Sequence, residues 1–284
     1  MELKHFLNLI RVRQWYKNLV IFLALFFSGN LFHLKPLTFS ILGFISLCLI
    51  SSTNYIINDL VDLKKDQLHP EKKLRPLANN TISKETAIIS AIIFFLISVT
   101  LAAALNINFL YLVLAILILS QIYTFYLKHI LFGDILAIAS LFVLRAISGA
   151  YLIEVKISPW LILCPFFLSI FLTIGKRHAD LLFLKEKAHS TRKVLKEYTL
   201  TTTNSLMVIS TTLLIISYAL YSFLSQHQKL LYTLPFALYV IFRYFNLINE
   251  GSEITRHPEK SFRDKPLMIG TLLWVITTLI IIYI

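Results

Sequence analysis

The sequence predicts an all-α, polytopic membrane protein with about nine transmembrane helices. Two observations predict it. The first is composition: 57% of the 284 residues are hydrophobic and only 15% are charged, with mean hydropathy +0.74. Soluble domains usually carry about 45–50% apolar and about 25% charged residues, so this chain has too little polar surface to cover a soluble globule. The second is the recurrence of apolar runs near the roughly 20 residues that a bilayer core requires. Hydropathy places helices at 17–34, 38–60, 84–105, 108–127, 131–153, 157–175, 199–224, 229–249 and 266–284.

The elements follow in order. Residues 1–28 are basic and then apolar, as in a secretory leader. No small-residue cleavage site follows, so 17–34 reads as an uncleaved first span. The second span runs into a charged segment at 58–76. The third and fourth are joined by a very short connection, "NIN" at 106–108. The fifth carries Arg145 in its middle, and the sixth closes on Lys176 and Arg177. Three more spans complete the chain, with no low-complexity linker and no second soluble domain, so 1–284 reads as one membrane domain.

The charges sort by side. Of the 27 lysines and arginines, 23 fall on the side of the N-terminus, with Lys35, Lys156 and Lys229 opposite and Arg145 within a span. Basic loops stay in the cytoplasm, so the N-terminus reads as inside and, for nine spans, the C-terminus as outside. This asymmetry accounts for most of the net charge of +12 without nucleic acid. The acids depart from ordinary loop logic: all but Glu154 share the basic side. Acid and base on one face predict a polar site there. Cys48 and Cys164 both fall inside spans, far apart and in no CxxC pair, and read as small buried residues. No Cys/His zinc spacing occurs.

The segment "NDLVDLKKDQLHPEKKLRP", 58–76, carries the site. Asp59, Asp62 and Asp66 are spaced i, i+3, i+7, and Asn58 precedes Asp62 by four. If the second helix continues past the membrane boundary, these groups share one face. Clustered carboxylates repel unless a cation sits among them. Oxygen ligands without thiolate or paired imidazole suit Mg²⁺ or Mn²⁺, and Mg²⁺ takes one or two carboxylates and completes its shell with phosphate and water. The cluster therefore predicts a metal-bridged diphosphate. The alternative is a solvated helix end partnered by Lys64 and Lys65, although acids at a helix C-terminus oppose the macrodipole. Lys72, Lys73 and Arg75 suit phosphate oxygens, Arg through its planar fork. Arg75 precedes Pro76, which predicts an extended loop.

"NDLVDLKKD" fits the NDxxDxxxD pattern of the UbiA-type prenyltransferase superfamily, which the chain resembles. That resemblance implies a nine-helix UbiA-like bundle that binds a diphosphate substrate through Mg²⁺, held here by Asn58, Asp59, Asp62 and Asp66. A narrower resemblance covers most of the chain. "RVRQWYKNLVIF", "NDLVDLKKDQLHPEKKLRPLA", "LKHILFGDILAIASLFVLRAISGAY", "SPWLILCPFFLSIFLTIGKRHAD" and "FRDKPLMI" look like the decaprenyl-phosphate phosphoribosyltransferase branch. The branch implies transfer of 5-phosphoribosyl from phosphoribosyl pyrophosphate to a polyprenyl phosphate, in a prokaryotic cell membrane, for cell-envelope glycan precursors.

The chain departs from the family pattern twice. Prenyl-transferring members carry a second acidic DxxxD motif in the loop after the sixth helix; this chain has "GKRHADLLFLKE", with Asp180 alone beside Lys176 and Arg177. "RPLANN" has Asn79 and Asn80 where small residues and Gly are usual, and Asn tolerates a left-handed turn. The sequon at Asn79 lies on the cytoplasmic side and is discounted for glycosylation.

Further candidates have two readings each. Arg145 is a substrate contact or a structural ion pair with Asp134, since an ionisable group at that depth faces the bundle interior. Lys128 suits a phosphate, and Asp134 suits orienting it or the ribose hydroxyls, because the resemblance places their loop at the site mouth. Tyr123 and Tyr126 read as interfacial belt residues. Lys17 reaches a lipid phosphate or is a plain anchoring lysine. Lys176 and Arg177 bind phosphate or complement the helix end. His69, His178 and His257 have no paired metal spacing and no assigned role. Two rival activities stand against phosphoribosyl transfer. One is prenylation of an aromatic acceptor through the same metal site. The other is transport, which a single charge at depth and the lack of an internal repeat disfavour.

Overall fold

A computed structural model describes residues 3–68, 72–184 and 197–284. His69 and the basic residues Lys185, Lys187, Arg192, Lys193 and Lys196 lie outside the described residues. The described chain is helical throughout. Its α-helices are α1 (Leu3–Leu9), α2 (Phe22–Phe27), α3 (Leu34–Val61), α4 (Leu63–Leu68), α5 (Lys84–Leu105), α6 (Ile107–Phe125), α7 (Gly133–Leu152), α8 (Pro159–Leu184), α9 (Leu200–Leu224), α10 (Leu234–Asn249), α11 (Glu253–Arg256) and α12 (Lys265–Tyr283). Eight helical segments among the described residues are long and apolar enough to cross a bilayer. The protein is a multi-pass membrane protein.

The first expected span differs from the others. In place of one α-helix over 17–34, the chain runs as a 3₁₀ helix, Val12–Ile21, followed by α2, and α3 then begins at Leu34 rather than near 38. Ten 3₁₀ residues at about 2.0 Å and six α residues at about 1.5 Å span about 29 Å, close to the bilayer core. Side chains of the segment tie it to α3. Trp15 donates Nε1 to Ser52 Oγ at 3.1 Å, and Asn18 is buried against α3. Gly149 of α7 lets the backbone come close: a Cβ there would lie 1.9 Å from the Ile21 carbonyl oxygen.

Other boundaries follow from capping. Ser83 accepts the Thr86 N–H and starts α5. Asn106 ends α5 and caps α6, accepting the N–H groups of Asn108 and Phe109, so the expected three-residue connection is one residue. The sixth expected span, 157–175, continues as α8 to Leu184. Lys176, Arg177 and Asp180 are thus helical rather than loop residues. Their charges do not stop the helix because Arg177 and Asp180 are ion-paired.

The chain divides into two compact units, Met1–Leu127 with Leu144–Ile157, and Lys128–Val143 with Ser158–Ile284. In the first, α3 packs on α5, on α6 and on the 3₁₀ segment. Ser46 and Ser98 join α3 to α5 by reciprocal hydroxyl-to-carbonyl bonds of 3.0 and 2.8 Å, as small polar residues do between membrane helices. The outer face of α5 exposes Ile88, Ile89, Ile92, Ile93, Leu96 and Ile97, a lipid-facing stripe. In the second unit, α8 packs on α9 and α10 on α12, around Phe171, Ile174, Met207, Tyr244 and Ile248.

Asp264 caps α12, accepting the Leu267 N–H at 2.8 Å, and is clasped by Arg243 at 3.2 and 2.7 Å. The Arg243 guanidinium holds its carboxyl below the ordinary value of 3.8. A folded-state pKa below the unfolded one gives stability that is present above the unfolded value and lost as pH falls through the folded one. The acid midpoint of unfolding below pH 4 is therefore expected to lose part of its pH dependence in Asp264→Asn, which is also expected to be less stable at pH 7. Circular dichroism melts at both pH values in detergent check this.

Candidate active site

The second half of α3 delivers the acids. Helical hydrogen bonding persists across the junction with α4: the Asp62 N–H reaches the Asn58 carbonyl at 2.9 Å, and the Asp66 N–H reaches the Asp62 carbonyl at 2.8 Å. Asp59 and Asp66 are buried on one face, as their spacing predicts. Asp62 marks the junction and Asn58 precedes it, both half-buried.

The two buried carboxylates converge on one cation. Arg75 donates Nη1 to Asp59 Oδ1 at 2.9 Å and the same nitrogen to Asp66 Oδ2. Lys72 Nζ lies 3.7 Å from Asp66, while Lys73 is exposed. Arg11 pairs with Asp59 from 48 residues away. The Arg75 backbone is not at the head of an extended loop: Arg75 N–H bonds the Lys72 carbonyl, and its own carbonyl accepts from Asn79. Pro76 restricts only the residue before it, and the chain coils into turns beyond. Asn80 takes φ +59°, the left-handed turn that Asn tolerates.

Arg11 adopts φ 53°, ψ 50°, in the position after α1 where glycine is usual. A non-glycine residue there costs on the order of 1–3 kcal/mol, which surrounding contacts must offset. Its guanidinium lies 4.8 Å from the Tyr55 ring centroid while it pairs with Asp59. Lys17 lies within electrostatic reach of the Tyr55 side chain. Arg145 donates Nε to Asn18 Oδ1 at 2.8 Å, and Asn18 in turn accepts from Ser51 and donates to Cys48 Sγ. This replaces the expected Arg145–Asp134 pair.

Asp134 has a different partner, within the second unit. It is fully buried, accepts from Arg177 Nε at 3.1 Å and ion-pairs with Nη2 at 3.1 Å; Arg177 is 2% exposed. The Tyr198 hydroxyl donates to Asp134 Oδ1 at 2.8 Å and accepts the Phe132 N–H at 3.1 Å. Burial and the adjacent carboxylate raise the Tyr198 phenol well above its ordinary range, so it stays a donor. Asp180 pairs with Arg256 at 3.3 Å. Lys128, in the short turn Leu127–His129, and Lys176, on α8, are half-buried.

Of the predicted residues, the first unit thus brings together Asp59, Asp66, Arg75 and, around Tyr55, Lys17. Arg11, Asn18 and Tyr55 also belong to this cluster, and their sequence context does not mark them as site residues. "RVRQWYKN" contained the signal, but Arg11 reads there as one more cytoplasmic anchor.

The donor set suits a hard cation. Two buried carboxylates already share one cationic nitrogen. Among the described residues no three or more His, Cys, Asp or Glu side chains form a ready metal cage. Mg²⁺ does not need one, since it usually keeps waters and substrate phosphates beside one or two carboxylates.

The family model for the UbiA prenyltransferase family matches residues 18–262. The chain belongs to the UbiA prenyltransferase family. This UbiA-family chain is 31% identical to the decaprenyl-phosphate phosphoribosyltransferase of Mycolicibacterium smegmatis, over 94% of its length and 88% of that protein's. It is 30% identical to the protein of the same name in Corynebacterium glutamicum, over 97% and 86%. A UbiA homolog from Archaeoglobus fulgidus, solved bound to GPP and Mg²⁺, shares its fold with a TM-score of 0.73 at 22% identity, covering 99% of this chain and all of that one.

Proposed function

We propose that the protein transfers 5-phosphoribosyl from phosphoribosyl pyrophosphate to a polyprenyl phosphate, with Mg²⁺ (Mn²⁺ as a substitute), releasing pyrophosphate; the lipid product serves as a precursor for cell-envelope glycans. The observation that carries the reading is the buried pair Asp59 and Asp66 converging on Arg75, in a chain similar nearly end to end to decaprenyl-phosphate phosphoribosyltransferases. The sequence supports it further: "GKRHADLLFLKE" has Asp180 alone, beside Lys176 and Arg177, in place of a second acidic motif.

Asp59 and Asp66, with Asp62 and Asn58 beside them, would hold the metal, which supplies charge to stabilise the departing pyrophosphate. Arg75, Lys72 and Lys73 bind diphosphate oxygens and orient the donor. The bond from the anomeric carbon to the pyrophosphate oxygen breaks, its electron pair leaving with pyrophosphate. A lipid phosphate oxygen forms the new bond. That oxygen is already anionic, so no protein base is required. Lys17 and Arg145 are assigned to the acceptor phosphate, and Lys128 and Lys176 to binding phosphate. Asp134 and Arg177 are assigned to positioning Lys128's turn. The N-terminus and these loops face the cytoplasm of a prokaryotic cell membrane.

Membranes containing the protein, given phosphoribosyl pyrophosphate labelled in the ribose together with polyprenyl phosphate, are expected to yield a labelled lipid with Mg²⁺ and none with a chelator. Absence of labelled lipid together with prenylation of an aromatic acid from a polyprenyl diphosphate would overturn the reading.

A further inference from the structure

The acids of the proposed diphosphate site are already engaged by cations. Asp59 accepts from Arg11 and Arg75, and Asp66 from Arg75 with Lys72 nearby. Two carboxylates thus face two guanidiniums and an ammonium. The cluster has no surplus negative charge with which to attract a divalent cation by itself. Arg75 and Lys72 belong to the segment that carries the acids. Arg11 does not. It arrives from the N-terminus, in a left-handed conformation, and is gripped from two sides by the Asp59 carboxylate and the Tyr55 ring. A cation on an aromatic face keeps part of its stabilisation when its carboxylate partner is taken away. Arg11 therefore has a second resting contact available once Asp59 is claimed.

We propose that Arg11 is a displaceable counter-ion, which withholds Asp59 from a bare divalent cation and yields it when the cation arrives with a diphosphate. The proposal rests on reading Asp59 and Asp66 as the metal–diphosphate site. Pyrophosphate oxygens give the guanidinium a new acceptor, so it exchanges one anion for another and no covalent bond changes. Cation and diphosphate then each raise the other's affinity by the same factor. A site built this way stays closed to free metal and opens to the metal–diphosphate pair.

The test measures radioactive Mn²⁺ bound to the purified full chain in detergent by equilibrium dialysis, with and without inorganic pyrophosphate. The wild-type chain is expected to bind Mn²⁺ weakly alone and at least about tenfold more tightly with pyrophosphate. Arg11→Gly suits the left-handed backbone and removes the charge. It is expected to bind Mn²⁺ alone about tenfold more tightly than wild type and to lose most of the pyrophosphate gain. Arg11→Lys keeps the charge and is expected to stay near wild type. Mn²⁺ alone is expected to raise the melting temperature of Arg11→Gly and not of wild type; Arg11→Gln serves the same comparison if the glycine variant does not fold. Unchanged or weaker Mn²⁺-alone binding in the neutral variants overturns the role of Arg11 and leaves the diphosphate site standing. Failure of the wild-type chain to bind Mn²⁺ even with pyrophosphate overturns both.

Discussion

Asp59→Asn is expected to lower phosphoribosyl transfer about 1000-fold or more, comparable to removing a preorganised group aimed at developing charge. Asparagine keeps the shape of aspartate and loses the anion. Asp59 is the centre of the first-unit cluster, since Arg11 and Arg75 both close on it. The two arginines remain about one-fifth to one-quarter exposed, so water and Asp66 compensate for the lost partner and the protein still folds. The same substitution is expected to shift the melting temperature only modestly. Initial rates on membranes and melting in detergent separate the two effects. A variant that retains Mg²⁺-dependent turnover within tenfold of wild type would remove Asp59 from the reaction.

Asp134→Ala is expected to have the largest effect on stability. Neither Asp134 nor Arg177 has appreciable contact with solvent, so truncating one leaves the other charge buried and uncompensated, a loss of about 3–5 kcal/mol. The Tyr198 hydroxyl loses its acceptor as well. Replacing the whole pair by Asp134→Leu with Arg177→Met is expected to recover most of that loss, because apolar pairs of similar volume avoid the desolvation penalty. Unfolding of the purified protein in increasing SDS reads both. A single variant as stable as wild type would show that the pair contributes nothing to the second unit's fold.

These two sites differ in how visible they are in sequence. Asp59 and Asp66 are seven residues apart on one helical face, and a local period of 3.6 brings them together without tertiary information. The long apolar helices are visible for a similar reason, since length and hydropathy alone define them. The Arg11–Asp59 and Arg177–Asp134 contacts bridge 48 and 43 residues, and no local pattern encodes such a pairing. The expected Arg145–Asp134 pair fails on elementary geometry. Eleven residues along one helix separate the two by about 16 Å. The continuation of α8 through Lys176, Arg177 and Asp180 was hidden because charge density marks a loop unless partners neutralise it. Those partners, Asp134 and Arg256, lie far away in sequence. The 3₁₀ form of Val12–Ile21 is not visible in sequence because hydropathy reports apolarity, not helix type.

The most direct test of phosphoribosyl transfer follows two phosphates of one donor. Phosphoribosyl pyrophosphate is prepared with radioactive phosphorus in the 5-phosphate or in the terminal phosphate of the pyrophosphate, and each is incubated with the protein, Mg²⁺ and polyprenyl phosphate. Transfer predicts that the 5-phosphate label enters the lipid while the terminal label is released as free pyrophosphate in equal amount. Terminal label appearing in the lipid, or neither label appearing there, would contradict the assignment.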